Sequence, residues 1–379
     1  MNQSFLFGLL FLLGASCSQK AENAFWNDGK AFFEVHEIFS SERFPNVVTA
    51  QDGSIIATWG NKKYQVRRSE DGGKTWDPVN TIATPGFHGG GVIVDETNGD
   101  ILAFVEESHP ISPLLMYRSR DNGKTWEAER TTILPDNLGN VPSMHMNEHG
   151  ITLQYGEKKG RLIRPTRFYG GGNDREFWPD HYTNAMYSDD GGKTWQTSKP
   201  FPAKGTGEAA LVELADGTIY YNSRRHFATD RLNPRMRHIA WSKDGGDTWE
   251  NLSVSEELPD GDQSRDYGLM AGLVRLPIDG HDILLFSNID SPDGRTRGTV
   301  WVSFDGGFTW PIKKLVEEGG FAYSSLTAGR KGTASEGLIY LFYEGAGHPS
   351  TIGKIAIFNL PWLTDGRDWK EFLPNFRHP

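Results

Sequence analysis

Glu208 and Arg224 lie 16 residues apart in the stretch GTGEAALVELADGTIYYNSRRH, with the turn pair Asp216-Gly217 between them. Two strands joined by a tight Asp-Gly turn fold back on each other, so the residues at their far ends meet on one rim of a sheet. Arginine at such a rim suits a carboxylate-bearing ligand, because its planar fork pairs with both oxygens and stays charged at any physiological pH. Further arginines precede other strand-like runs: Arg43 ahead of VVTAQDG, and Arg295 and Arg297 in DGRTRGTV. Tyr323 lies in FAYSSL, and Glu344 ends YLFYE. His145 and His149 have the i, i+4 spacing of a helical metal pair. Gly150 to Gln154 reads as a strand, so that helical spacing has no meaning here. With no Walker-type phosphate loop and no Cys/His zinc pattern, neither a metal nor a cofactor is expected.

The elements that must position these residues are announced by a repeat. SEDGGKTW begins at Ser69, SRDNGKTW at Ser119, SDDGGKTW at Ser188, SKDGGDTW at Ser242 and SFDGGFTW at Ser303. The irregular intervals describe one supersecondary unit with connecting loops of different length. Strand-like alternation precedes the copies, as in KYQVRR, NAMY and GTVWV. Within each copy Asp-x-Gly is a turn signal, since Gly accepts positive φ and Asp bonds nearby backbone amides. Ser and Asp are therefore expected to tie down a hairpin turn, with Trp folded back as an apolar plug between neighbouring strands. Helical periodicity is nearly absent. With 379 residues and 12 Trp, the chain can fill the core of one large all-β domain or two smaller ones.

The five segments resemble Asp boxes, the repeats of the sialidase (neuraminidase) superfamily. The resemblance covers about residues 35 to 365 and implies an all-β fold, a six-bladed β-propeller of the sialidase type. Asp boxes also occur in propellers without enzymatic activity, so they imply architecture alone. Other segments resemble the family's active-site pattern, in its chain order. SERFPNVV is similar to the Arg-Ile-Pro motif, with Phe44 in place of Ile, which makes Arg43 the first of three arginines gripping a sugar's carboxylate. Glu208 and Arg224 match a Glu that precedes one strand and an Arg that ends the next. For the third arginine both Arg295 and Arg297 qualify; alternation would point both to one face, and spacing to the downstream tyrosine favours Arg295. FAYSSL resembles Ala-Tyr-Ser-Asp-Leu and puts Tyr323 in the nucleophile position, while Glu344 would orient Arg43. The Tyr/Glu pair has a physical logic. An anionic nucleophile attacking a carbon that already bears a carboxylate meets like-charge repulsion, whereas a neutral tyrosine avoids it and Glu208 relays its proton.

The match breaks at the general acid. The family carries an Asp on a loop after the first strand pair, but between IIATW and the strand entering the first box stand only Gly60-Asn61-Lys62-Lys63. A second Asp, usual before the next blade's strand, is replaced near that place by His88 in FHGGGVIVD. His88 is the first substitute for the acid, with Glu106, Glu107 and His109 behind it. The other two readings are a substrate whose leaving group needs no acid, and a propeller that binds an acidic sugar without cleaving it. The run RLIRPTR, with Arg161, Arg164 and Arg167, reads as a strand edging a cleft, and the insertion GGGNDREFWPDHY as a rim loop whose Trp178 and Tyr182 could stack on a sugar.

The formal charge of −10 argues against nucleic acid or an anionic membrane as partner, yet a local arginine cluster can still attract an acidic sugar. MNQSFLFGLLFLLGAS is an apolar run of signal-peptide length, and Cys17, the single cysteine, follows it as in a loose lipobox. The expected organisation is residues 1–17 as signal peptide with a lipobox-like cysteine, 18–34 as linker, and 35–379 as the propeller domain. The chain reads as exported to the periplasm or cell surface, held there by a lipid on Cys17. Its expected activity is that of an exo-α-sialidase-like glycoside hydrolase, with a carbohydrate bearing a terminal acidic sugar as substrate. The alternatives are a glycosidase or lyase for another acidic sugar, and a non-catalytic acidic-glycan-binding propeller.

Overall fold

The computed structural model describes residues 30–374, apart from 144–145, 228–234, 262–267 and 347–350; for residues 88–90 it describes the backbone only. The signal segment and Cys17 lie outside the described residues.

Six sheets, antiparallel apart from one short edge strand, form the blades of a β-propeller. From the innermost strand outward, blade 1 comprises Asn46–Thr49, Ile55–Trp59, Tyr64–Ser69 and Asn80–Ala83. Blade 2 comprises Phe87–Val94, Ile101–Glu106, Leu114–Ser119 and Glu127–Glu129. Blade 3 is built from Ile151–Thr152, Leu162–Phe168, Tyr182–Ser188 and Thr194–Thr197, with Thr132–Ile133 added in parallel at its outer edge. Blade 4 holds Thr206–Glu213, Ile219–Arg225, Met236–Ser242 and Glu250–Pro259; blade 5 holds Gly272–Arg275, Leu284–Ile289, Thr296–Ser303 and Ile312–Gly320. Blade 6 runs Ser324–Ala328, Ile339–Glu344 and Ile352–Phe358, and its outermost strand is Phe33–Ser40 from the start of the chain. The first strand thus begins at Phe33, two residues ahead of the expected boundary at 35.

This closure explains why six blades carry five boxes. Each box joins the third strand of its blade to the fourth, and in blade 6 those two strands come from opposite ends of the chain. There is no hairpin there to tie.

The box chemistry is local and repeated. In the first, Ser69 Oγ donates to Asp71 Oδ1 at 2.9 Å and accepts from the Gly73 amide at 2.8 Å. The Asp71 carboxylate takes the Thr75 amide at 2.9 Å and the Thr75 hydroxyl at 2.6 Å. The same Ser–Asp–Gly bonds recur at Ser119, Ser188, Ser242 and Ser303. The tryptophans plug the seams between blades rather than between strands of one sheet. Trp195 of blade 3 is fully buried and meets Phe104 of blade 2 edge-on at 5.3 Å. The shared glycine of the box also needs its missing side chain. Gly192 has φ +89°, and a Cβ there would come 2.5 Å from Leu102 of blade 2.

Trp195→Ala, which empties the seam between blades 2 and 3, is expected to lower the unfolding free energy by about 3–5 kcal/mol. Asp190→Ala removes turn hydrogen bonds alone and should cost about 1–3 kcal/mol. Urea denaturation of the two variants checks the order; a larger loss from Asp190→Ala would place the stabilising role in the turn and not in the seam.

Candidate active site

Antiparallel alternation delivers the candidate residues to one face of the propeller. Residues entering first strands, ending second strands or entering third strands all lie at that face, and these are the positions of Arg43 and Tyr323, of Arg224 and Glu344, and of Arg295.

Arg43 and Glu344 clasp the seam between blades 1 and 6. Arg43 Nε and Nη2 each donate to one carboxylate oxygen of Glu344 at 3.0 Å, and the Phe44 amide donates to the same group at 3.1 Å. Glu344 is buried, while the Arg43 side chain keeps 18% of its surface open. The Arg43 guanidinium carbon lies 5.1 Å from the centroid of the Tyr323 ring, and that of Arg295 lies 5.3 Å from it. Three arginines therefore surround one tyrosine: Arg224 Nη1 donates to Glu208 Oε2, and the Tyr323 hydroxyl donates to Glu208 Oε1 at 3.3 Å.

Arg297 departs from the alternation expected of it. Its φ of +58° and the shifted register between Thr296 and Gly298 break the strand's alternation, and it pairs with Glu318 at the exposed edge. Arg295 alone of the two approaches Tyr323.

Electrostatics sets the protonation states. Burial pushes the Glu208 carboxyl up, but the guanidinium groups of Arg224 and Arg167 outweigh it and hold Glu208 below the usual carboxylate range. Burial and the neighbouring Glu208 charge raise the Tyr323 hydroxyl further than the three arginines lower it. The resting pair is thus a neutral tyrosine hydrogen-bonded to a carboxylate, which suits attack on an anionic sugar.

A second tier lies behind this cluster, of which the sequence analysis reads only the strand of Arg167. Arg167, 1% exposed, donates from Nη2 toward His181 Nδ1 at 3.1 Å and His226 Nδ1 at 2.8 Å. Arg237 is fully buried beneath Glu208; it bonds Asp260 at 2.9 Å, Asn222 Oδ1 at 2.7 Å and the Glu208 carbonyl at 3.3 Å. Burial drives the Asp260 carboxyl up to about 6 against the pull of Arg237 and Arg224. The signal in the sequence was an arginine in a strand otherwise fit for burial, which composition alone does not separate from a surface residue.

The remaining candidates fall as follows. Residues 60–63 form a bare connection in blade 1, closed by the Gly60 amide donating to the Arg43 carbonyl at 2.8 Å. His88 sits in the first strand of blade 2 opposite Val105, with its side chain outside the described part. Glu106 is buried and accepts from Ser143 Oγ at 2.7 Å, while Glu107 is exposed. Tyr182 is no stacking platform: it is buried and donates to Asp136 at 2.5 Å. Trp178 packs on His226, with ring centroids 4.3 Å apart. Arg161 pairs outward with Asp189 and Asp247. His145 lies outside the described residues, and His149 is buried with its ring nitrogens 3.0 and 2.9 Å from the carbonyls of Gly150 and Leu326. Among the described residues no group of three His, Cys, Asp or Glu is placed to hold a metal.

Comparison with known proteins gives the family to which this fold belongs. The family model of the BNR repeat-like domain matches residues 60–335. A sialidase of Micromonospora viridifaciens is 30% identical over 86% of this chain and 53% of its own length. A sialidase of Bacteroides fragilis is 28% identical over 79% of this chain and 59% of its own. The chain thus spans little more than half the length of these curated relatives. Among solved structures, the Hadza microbial sialidase Hz136 superposes with a TM-score of 0.66 at 25% identity, covering 85% of this chain and 66% of that one. With its five boxes, its six blades and these relatives, the chain belongs to the sialidase superfamily of BNR-repeat β-propellers.

Proposed function

We propose that this protein is a retaining exo-α-sialidase that releases a terminal sialic acid from glycoconjugates. The observation that carries the reading is the meeting of Arg43, Arg224 and Arg295 around Tyr323, whose hydroxyl is 3.3 Å from Glu208. Arginine forks suit the sugar carboxylate. Tyr323 attacks the anomeric carbon as Glu208 takes its proton, and a tyrosyl–sugar intermediate forms that water then opens with net retention. Glu344 holds Arg43 in place. Relatives named as sialidases support the substrate class. The reading of a propeller that grips an acidic sugar without cleaving it is favoured by one feature, the absence of a carboxylate in residues 60–63.

Three variants test the catalytic reading with an aryl α-sialoside. Tyr323→Phe is expected to lower kcat by about 10³-fold or more. Arg295→Ala should lower kcat/KM by about 100-fold, the cost of removing a charged partner from a bound carboxylate. Arg297→Ala should stay within about twofold, because its pair with Glu318 is exposed. Full turnover in Tyr323→Phe would end the proposal. Export and a lipid on Cys17 complete it: incorporation of a labelled fatty acid in a bacterial host is expected for the full chain and should vanish in Cys17→Ser. A full chain that takes up no label would contradict the anchor.

A further inference from the structure

A sialidase that cleaves unactivated linkages needs a proton donor on the far side of the sugar from Tyr323; residues 60–63 of blade 1 carry no carboxylate, and the nearby Glu42 carboxylate accepts the Asn61 amide at 2.9 Å. Arg43, Glu208, Arg224, Arg295, Tyr323 and Glu344 come from blades 1, 4, 5 and 6. In a ring of six, blades 2 and 3 stand across from blades 5 and 6, so the donor is to be sought there. At that face blade 2 offers residues 107–113, the connection between its second and third strands, in the position that Arg295 holds in blade 5.

His109 lies on this connection, half-buried. Its ring is 5.6 Å from that of Phe87, which is 5.3 Å from Phe44, which in turn is 5.9 Å from Tyr323. On its other side His109 is 5.5 Å from the ring of Tyr169, over which the Arg167 guanidinium sits at 4.2 Å. A cavity of about 360 Å³ opens against the same connection, walled by Ile111, Ser112, Pro113, Tyr169 and Gly170.

His181, Tyr169 and Glu106 on this wall are engaged in ways that do not suit a donor. His181 faces the Arg167 N–H with Nδ1 and the Gly170 carbonyl with Nε2. Tyr169 donates to Asn173 at 2.7 Å, and burial pushes its hydroxyl up to about 12. Glu106 is buried against Ser143, and Glu107 is exposed. In His109, Nδ1 is 3.1 Å from the Pro110 carbonyl, which can only accept, so Nδ1 keeps its hydrogen and the ring's exchangeable proton is on Nε2.

We propose that His109 is the general acid of this enzyme, replacing the carboxylate that the family carries on blade 1; the inference rests on the Tyr323 mechanism above. In the first step the Tyr323 oxygen bonds to the anomeric carbon and its proton passes to Glu208. The glycosidic carbon–oxygen bond breaks, and the leaving oxygen takes the Nε2 proton of His109. In the second step neutral His109 takes a proton from water, whose oxygen bonds to the anomeric carbon. The bond to Tyr323 breaks, and its oxygen recovers the proton from Glu208. Every group ends as it began.

Burial lowers the His109 basicity, the Pro110 carbonyl opposes this, and the Arg167 charge lowers it further. Tyr169, packed against it, stays neutral. The protonated form is the active one, so turnover of unactivated substrate should decline as pH rises through a value below the usual 6.5 of histidine.

The test compares sialyllactose, whose leaving oxygen needs a proton, with an aryl α-sialoside, whose leaving group scarcely does. His109→Ala is expected to lower kcat/KM about 10²–10⁴-fold on sialyllactose and far less on the aryl sialoside, and to erase the alkaline limb on sialyllactose. His109→Gln, which retains a polar side chain but cannot donate as an acid, should show the same selective loss, and an unchanged melting temperature excludes misfolding. Equal losses on both substrates from the two folded variants, or no loss, would overturn the assignment while leaving the Tyr323 mechanism standing. A selective loss in His88→Ala in place of His109→Ala would move the acid to His88. Wild-type protein inactive on both substrates would instead overturn the reading on which the inference rests.

Discussion

The seam between blades 1 and 6 is the constraint on which the rest depends. Phe33–Ser40 pairs with Ile352–Phe358, so the ring closes only when the two ends of the chain have met. At the same seam Arg43 and Glu344, 301 residues apart, form a two-pronged ion pair, and the Phe44 amide joins them. Removing one member of such a pair leaves a buried charge without its partner, which is far costlier than losing an exposed bridge. Ring closure therefore delivers Arg43 to Tyr323, and it also sets where the other four blades can stand.

Once the ring is closed, charge balance decides what the face can bind. Arg43, Arg167, Arg224 and Arg295 gather near Tyr323, against Glu208 and Glu344, which is 4 − 2 = 2 positive charges in excess. That excess sits in a chain whose formal charge is −10. A low-dielectric site with a surplus of fixed cations attracts an anion without any need for a basic protein. The same cations hold Glu208 ionised despite burial, while Tyr323 stays neutral. Arg237 and Asp260 cancel each other beneath, and Arg237, through the Glu208 carbonyl, fixes the strand that carries Glu208.

Much of this is legible in the amino-acid sequence. Ser, Asp, Gly and Trp at fixed offsets encode a turn whose bonds are all local, so the five boxes read correctly as hairpin ties, and the closing strand explains the blade without one. Arg43, Glu208, Arg224, Tyr323 and Glu344 were singled out by the resemblance of their segments to the family's active-site pattern, and the fold gathers them at one face. The choice between Arg295 and Arg297 was only half legible, since a register shift and one positive φ overrode strand alternation. Arg167, His181 and His226 were not read as a cluster, because blade packing brings them together and no local spacing records it. Tyr182 was misread for the same reason: its partner Asp136 lies 46 residues away, in a segment without a box.

The most direct test of the central claim is covalent trapping. Incubation with 2,3-difluorosialic acid, followed by intact-mass and peptide mass spectrometry, is predicted to show one sialosyl adduct per chain, carried on Tyr323 and absent in Tyr323→Phe. An adduct on another residue, or a protein that hydrolyses sialosides yet never carries the label, would contradict the account.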